Sequence, residues 1–501
     1  MKGANREGRS PVKRAAVATG VVAGAAMRWW VLATPLGSVD YDEAVVGLMA
    51  RHMQHGHLTM FFWGQPYGGS QEPAMVAVLF ALFGPQRLAL KAVPIVLHAG
   101  ACLLTWRVGR RLGLVSGAAA TAGVVLWCFP AAFLWWSTKE RGFYGLALLL
   151  GLAAVLVCLR LADEGSEPRH ADLLGLGTLA GAGLWVSPEV SYLAVPAVAW
   201  LVVHHRRLVR HVLTVAGAAV VAASPWLVWN ATHDWASLQS PVLPERHAGY
   251  LTRLGDFFTR LPVGLGIEEP FSGRSLFSVP HPAAVAAALA LLASAAWVLR
   301  RHSTVLVWLA VGFGPLYASN TLVDLAGPHP RYLYLFTPVV ALAVAALAGR
   351  AAESGWARRW RWPWPLGLAL VVALAVSGWG LGVLHTSSLH AGGTSDLAAG
   401  PIHELVRRLD ERHIDRVVTD RVGPQLTFAT DERIIGSNYI DERHPAYRRL
   451  TQGGPRIVYV LQTDLGRPVR LERRLRDLGI GYRAERVARW TIVTPDRKVL
   501  P

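Results

Sequence analysis

Three carboxylates crowd the start of one segment, where Asp40-Tyr41-Asp42-Glu43 follows the first long apolar run. At a membrane boundary such groups lose hydration energy unless they are paired or wet. A carboxylate facing a cavity can act as general base toward a hydroxyl. The D-x-D of Asp40 and Asp42 leaves a divalent metal open, although spacing on a loop carries little weight for ligation. The structural alternative is a helix cap, because acids favour the first helical turn. Tyr67 and Glu72 follow in Phe62-Trp63-Gly64-Gln65-Pro66-Tyr67-Gly68-Gly69-Ser70-Gln71-Glu72-Pro73, and His52, His55 and His57 stand between the two groups. Two further sets carry charge beside apolar runs: Ser137-Thr138-Lys139-Glu140-Arg141, and Arg331-Tyr332 after Pro328-His329-Pro330. Lys139, Arg141 and Arg331 suit a lipid phosphate, arginine as a fork and lysine as a point charge. Their alternative is headgroup anchoring by snorkelling.

These residues are held by membrane helices. A span takes about 20 mostly apolar residues. Eleven runs are expected: 15–36, 86–106, 114–135, 142–161, 172–187, 190–204, 209–229, 282–299, 304–320, 332–349 and 365–384. The pair around Ser187-Pro188-Glu189 could instead be one kinked helix. Lys and Arg in short loops set orientation. With eleven spans, the clusters at Lys2–Arg14, Arg107–Arg111, Arg160–Arg169, Arg206–Arg210, Arg300–Arg301 and Arg350–Arg361 share the N-terminal side. That side is then cytoplasmic. The outward loops are 37–85, 136–141, 187–189, 230–281 and 321–331, followed by everything after 385. The expected place is the cell (plasma) membrane.

Composition agrees. Charged residues are 17% of the 501, against about 25% in soluble domains. Eighteen of the 33 acids lie in residues 1–385 and 15 in the last 116, so the tail reads as soluble. The net charge of +17 is spread over short inter-span clusters, which argues against nucleic acid. Cys102, Cys128 and Cys158 all fall in apolar runs and behave as small hydrophobes. The expected fold is an all-α polytopic membrane domain (1–385, with the first outward loop at 37–85) joined to a small extracytoplasmic α/β domain (386–501). Ala391-Gly392-Gly393-Thr394-Ser395 reads as the linker. Strands are expected at Arg416–Thr419, Arg433–Ile435, Arg456–Leu461, Tyr482–Glu485 and Thr491–Val493. Helices are expected at Ile402–Arg412 and Val469–Leu478. No nucleotide-binding glycine pattern occurs in the tail.

Within loop 37–85, Val45, Leu48, Met49 and Met53 repeat at helical spacing. That stripe predicts a helix lying in the membrane interface. A second such helix is expected over 74–83.

Asp42-Glu43-Ala44-Val45-Val46-Gly47-Leu48-Met49-Ala50-Arg51, with Phe62-Trp63-Gly64-Gln65-Pro66-Tyr67 and Glu72-Pro73, resembles the first extracytoplasmic loop of GT-C fold glycosyltransferases. The nearest group is that of protein O-mannosyltransferases and lipid A aminoarabinose transferases. The resemblance implies a polyprenyl-phosphate sugar donor, an extracytoplasmic acceptor of unspecified identity, and Asp42, with Glu43 beside it, at the catalytic centre. It implies that Glu140 is a second acid near that centre and that Arg331 faces the donor phosphate. It also implies work without a metal, the divalent ion remaining the alternative. Asp40, Tyr67 and Glu72 are further cavity candidates. One departure stands out: relatives often carry a base just before the proline, where this chain has Glu72. A departing phosphate needs no proton, so one carboxylate suffices for an inverting transfer, whereas glycoside hydrolysis needs two. The competing functions are a flippase for a lipid-linked sugar, which predicts charges at mid-membrane and broken helices in matching halves, and a non-catalytic scaffold acting through its tail.

Overall fold

The computed structural model describes residues 11–163, 167–239, 248–269, 274–299, 304–326, 331–353, 364–390, 402–439 and 443–500. The expected linker Ala391–Ser395, the cationic residues Lys2, Arg6, Arg9, Arg300, Arg301, Arg358, Arg359 and Arg361, and Pro328-His329-Pro330 lie outside these residues. Along the chain the helices are α1 (Pro11–Ala33), α2 (Tyr41–Gln54), α3 (Gln71–Phe83), α4 (Arg87–Arg111), α5 (Ser116–Cys128), α6 (Ala131–Trp136), α7 (Tyr144–Leu161), α8 (His170–Val186), α9 (Ser191–His204), α10 (Val212–Ala231), α11 (Tyr250–Gly264), α12 (His281–Leu299), α13 (Thr304–Ser319), α14 (Thr337–Glu353) and α15 (Trp364–His390).

A helix stands at each of the eleven apolar runs, and the chain is a multi-pass membrane protein. Seven helices among the described residues are long and apolar enough to cross a bilayer. The runs at 114–135, 172–187, 190–204 and 304–320 form helices of 13, 17, 14 and 16 residues, short of a span of about 20. Proline accounts for three of them. Phe129 and Ser187 are extended ahead of Pro130 and Pro188, as a residue before proline prefers to be. Helix α5 therefore ends before α6, and α8 before α9.

The chain packs as two compact units, each drawn from several stretches of sequence. The first comprises Met1–Val31, Pro94–Thr138 and Phe143–Val383. Here α8 lies along α10, α5 along α14, and α9 along α13. Arg28 is buried inside this unit. It donates to the Gly24 carbonyl (3.0 Å), the Trp127 carbonyl (2.8 Å) and Ser137 Oγ (3.1 Å). Backbone acceptors left open near the α5–α6 break are thereby satisfied.

The second unit comprises Leu32–Val93, Lys139–Gly142 and Leu384–Pro501. Its sheet has strands β1 (Arg416–Thr419), β2 (Ile435–Asn438), β3 (Tyr459–Gln462), β4 (Tyr482–Val487) and β5 (Trp490–Pro495) in the order β2-β1-β3-β5-β4. Strand β1 pairs parallel with β2 and β3, whereas β5 runs antiparallel to β3 and β4. Successive strand residues point to opposite faces. Val417, Val460 and Ile492 therefore join Leu405, Leu409 and Leu426 in one core, and Val418, Leu461 and Val493 join Leu475 in the other. Those leucines belong to α16 (His403–Glu411), α17 (Gly423–Ala429) and α19 (Arg467–Asp477); α18 (Pro445–Gln452) packs on β1 and β2. The expected α/β sandwich is present. Strand β2 starts later than expected, and α17 and α18 had no clear periodic signal at seven and eight residues.

Helix α2 corrects one expectation. Its stripe of Val45, Leu48 and Met49 is buried in protein, against α3 and α17, instead of lying in the membrane interface. Gly47 makes the approach to α17 feasible, since a Cβ there would sit 2.4 Å from the Phe428 ring. Arg51 donates to the Phe428 carbonyl (3.0 Å) and pairs with Asp431 (3.1 Å), while His52 bonds Glu432 (2.8 Å). Asp431 and Glu432 both hold positive φ (55° and 61°), a conformation costing side-chain-bearing residues about 1–2 kcal/mol each. Hydrogen bonds from His52 and then Tyr447 bring the Glu432 carboxyl down to about 2.

Gly47→Ala is expected to lower the thermal midpoint by an amount equivalent to about 1–3 kcal/mol, the usual cost of overpacking. The double variant with Phe428→Leu should be less destabilised than the two single changes added together. Strict additivity in melting experiments would show that the two residues do not meet.

Candidate active site

The first turn of α2 gathers the carboxylates. Asp40 is its N-cap: Glu43 N–H donates to Asp40 Oδ1 (3.1 Å), and Asp40 N–H donates to Glu43 Oε2 (3.1 Å). This reciprocal pair is a capping box, so the capping alternative holds for two of the three acids. The cap then becomes part of an ion cluster. Lys91, from the start of α4, hydrogen-bonds Glu43 Oε1. Lys139 reaches the Ser38 carbonyl (2.7 Å), Glu43 Oε2 (3.3 Å) and Asp40 Oδ2 (3.7 Å). The Glu140 N–H donates to Glu43 Oε1 (3.1 Å), and Arg141 donates to Asp40 Oδ2 (2.7 Å). Gly142 follows at φ 98°, where a Cβ would press 2.6 Å from the Phe62 ring. Glycine is what lets the 139–142 segment cross there.

Burial alone would raise the Asp40 carboxyl, but Arg141, then Lys139 and Lys91, hold it well below the usual carboxylate range. The Arg141 guanidinium loses solvation in the same place, and Asp40 and Asp42 more than restore its charge. Glu140 goes the other way. It is fully buried, and burial followed by the neighbouring Glu72 carboxylate pushes its carboxyl well up. Glu72 is 1% exposed. Two buried carboxylates in contact are stable when they share a proton.

Each expected site residue can now be placed. Glu43, expected to be catalytic, is 0% exposed. It accepts from Asp40, Glu140, Lys91 and Lys139 and has no lone pair left for a reactant. Lys139, expected on a lipid phosphate, is buried among acids and a carbonyl, so its charge balances Asp40 and Glu43. Arg141 is bonded to Asp40. Tyr67 is half-buried in a tight hairpin closed by Phe62 N–H to the Gly68 carbonyl (2.7 Å). Arg331 belongs to the other compact unit. Asp42 differs from its neighbours in keeping 33% of its side chain exposed, with Arg443 Nη2 3.9 Å from Oδ1. Among the described residues no three His, Cys, Asp or Glu converge as metal ligands.

A cleft opens beyond Arg443, lined among others by Tyr41, Trp63, Ser437, Asn438, Arg443 itself and His444; Asp42 meets its wall through Arg443. Arg443 donates to the Trp63 carbonyl (3.4 Å) and Gln65 Oε1 (3.2 Å), tying the cleft wall to the hairpin. The His444 ring lies 4.2 Å from Trp63. Burial, then His52, lowers His444 to about 4, so it is neutral at physiological pH, and its buried Nδ1 has no partner among the described residues. Sequence reasoning missed Lys91, Arg443 and His444. A lysine near the start of an apolar run is itself a signal, and Lys91 carried it. Arg443 and His444 carried none, being some 400 residues from Asp42.

Residues 72–229 match the family described as dolichyl-phosphate-mannose-protein mannosyltransferase. No curated protein matches the sequence. Among solved structures the chain is similar to apo ArnT from Cupriavidus metallidurans, with TM-score 0.54, 14% identity, and coverage of 95% of this chain and 97% of that one. ArnT bound to undecaprenyl phosphate gives 0.53, 13%, 96% and 97%. The oligosaccharyltransferase AglB from Archaeoglobus fulgidus, in complex with an inhibitory peptide and a dolichol-phosphate, gives 0.51, 13%, 90% and 69%. The chain has the GT-C glycosyltransferase fold. Within that fold, the match to nearly the whole length of ArnT includes the C-terminal sheet domain.

The shared proton of Glu140 and Glu72 sets a pH dependence. The unfolded chain releases it near the ordinary glutamic acid value of 4.5, and the folded chain only well above that. The native state therefore binds more protons between these values, and stability falls as pH rises through that window. Glu140→Gln keeps a donor toward Glu72 without titrating. Its thermal midpoint should fall less than the wild type's between pH 5 and pH 9; parallel pH profiles would show that no proton is held there.

Proposed function

We propose that this protein is a membrane glycosyltransferase that moves a sugar from a polyprenyl-phosphate donor to an acceptor hydroxyl on the extracytoplasmic side, with Asp42 as general base. The supporting observation is selective burial. Asp40, Glu43, Glu72 and Glu140 are buried and spent on capping, ion pairing or proton sharing, while Asp42 keeps a carboxylate one-third exposed next to Arg443 of the cleft wall. Helix α2 delivers it there because both its cap and its apolar stripe are locked. Two of the three comparison structures hold lipid phosphates, undecaprenyl phosphate in ArnT and dolichol-phosphate in AglB, which supports a lipid-linked donor.

The chemistry balances with one base. The acceptor O–H gives its proton to Asp42 as its oxygen attacks the anomeric carbon. The bond from that carbon to the phosphate oxygen breaks on the opposite face, and the lipid phosphate leaves with the electron pair and without a proton. The product is inverted. Glu43, Lys91 and Lys139 are positioning residues in this reading: they hold the turn that carries Asp42. The acceptor approaches along the cleft, where Trp63 offers an aromatic face and Ser437, Asn438 and neutral His444 offer hydrogen bonds. The positive loops assign the N-terminus to the cytoplasm and the C-terminal domain to the outside.

Asp42→Asn should reduce transfer by about 10²–10⁴-fold, the range for loss of a general base, with little change in melting temperature because the Asp42 side chain is one-third exposed. The assay uses purified full-length protein with the lipid-linked sugars and envelope acceptors of the producing cells. Undiminished transfer by a folded Asp42→Asn protein would end this reading.

A further inference from the structure

The sheet of the second compact unit sends two neighbouring strands in opposite directions. The chain leaves β1 through α17 toward β2, and leaves β3 through α19 toward β4, on the other side of the sheet order. In open α/β sheets ligands bind outside the carboxyl ends of the strands at such a point. Two loops meet there: Asp420 follows β1, and residues 463–466 join β3 to α19. Asp420 Oδ2 accepts from the Gln462 N–H (3.0 Å) and lies 3.1 Å from Arg467 Nη1, so its charge is paired. Its Oδ1 is buried and has no donor among the described residues. Arg489, from the turn between β4 and β5, reaches the same loop, where its carbonyl accepts from the Thr463 N–H (2.9 Å). Its side chain is 8% exposed, and Nε, Nη1 and Nη2 are all buried without a hydrogen-bond partner among the described residues. Asp464 Oδ2 stands 3.8 Å from Nη2, and that carboxylate is 49% exposed. The distance is beyond a hydrogen bond.

A buried polar group without a partner requires an explanation. A guanidinium has only donors and keeps its charge in proteins, so whatever completes Arg489 brings oxygens and negative charge. The same loop supplies a second attraction for an anion. Helix α19 starts at Arg467 with no side-chain cap, so N–H groups of its first turn are open and the positive end of its dipole faces the loop. Arg470 and Arg474 follow Arg467 at helical spacing and are exposed. Residues 467–498 hold ten Lys and Arg against four Asp and Glu, which sets the sign of the partner. A phosphate group has enough oxygens to meet a guanidinium fork and a helix N-terminus together. The geometry points to a phosphate site at the carboxyl ends of β1 and β3, where a phosphate displaces the Asp464 carboxylate from Arg489 and accepts from that guanidinium and from the first turn of α19. This site lies beyond the transferase reading and does not depend on it.

The test is a titration that needs no turnover. Full-length protein in phosphatidylcholine discs is titrated with inorganic phosphate in a calorimeter, with chloride at matched ionic strength as the control. The wild type should bind phosphate in preference to chloride. Arg489→Ala should weaken binding about ten-fold or more, as expected for lost hydrogen bonds from a charged group. Asp464→Asn removes the competing carboxylate and should tighten binding about two- to five-fold, the worth of an exposed ion pair. An Arg489 that only packs against the sheet predicts no gain from Asp464→Asn. If Arg489→Ala does not fold, Arg489→Lys decides, because it keeps the charge and loses the fork: weakened binding supports the site and unchanged binding overturns it. A wild type that treats phosphate and chloride alike overturns it, and so does an unchanged affinity in Asp464→Asn. Repeating the wild-type titration in discs that contain phosphatidic acid separates the sources of the group. Loss of the phosphate response there assigns the site to a lipid headgroup, and an undiminished response assigns it to a water-borne phosphate.

Discussion

The site is organised around one buried carboxylate. Glu43 is wholly removed from solvent, and two ammonium groups and two backbone amides surround it. Removing an ion from water costs several kcal/mol even after relaxation. Breaking any of these contacts would leave that cost uncompensated, so the surrounding pieces are held to one arrangement. Those pieces are the first turn of α2, the start of α4 and the segment 139–142. The cluster thus fixes three separate stretches of chain to one another at the place where Asp42 emerges.

A second constraint acts at the other end of α2. Arg51 and His52 bind the two acids of a left-handed turn that follows α17, and Gly47 lets Phe428 lie against the helix. The turn's backbone strain is offset by the ion pairs it makes. Helix α2 is therefore held at its cap by charges from the start of α4 and from the segment 139–142, and along its length by the sheet domain. That double attachment explains how a loop of more than 40 residues can hold one side chain in a fixed place, and why the tail is packed as part of the same unit as the loop. The C-terminal domain also supplies Arg443 and His444 to the cleft wall.

Much of the architecture could be read directly. Apolar runs of near-spanning length located the membrane helices, because a bilayer imposes a length and forbids exposed backbone. Alternation and β-branched content located β1, β4 and β5. Short or proline-interrupted elements were harder. The apolar run at 114–135 is split at Pro130, and α17 and α18 are too brief for periodicity to register. The stripe on α2 had the right residues but the wrong partner. A helix facing lipid and a helix facing protein present the same spacing, and only packing tells them apart.

The class of protein, the helix that begins at Asp40, and the short set of acids and bases from which a site could be built are all legible in the residues alone. Their local chemistry dictates this much: hydropathy over some 20 residues, and a capping box four residues long. Which acid remains accessible depends on packing. Asp40, Asp42 and Glu43 are nearly equivalent in sequence, and their differences come from Lys91, Lys139, Arg141 and Arg443, which reach them from distant parts of the chain. Burial and pairing are properties of the packed arrangement, so they separate a cap and a counter-charge from the carboxylate left partly exposed.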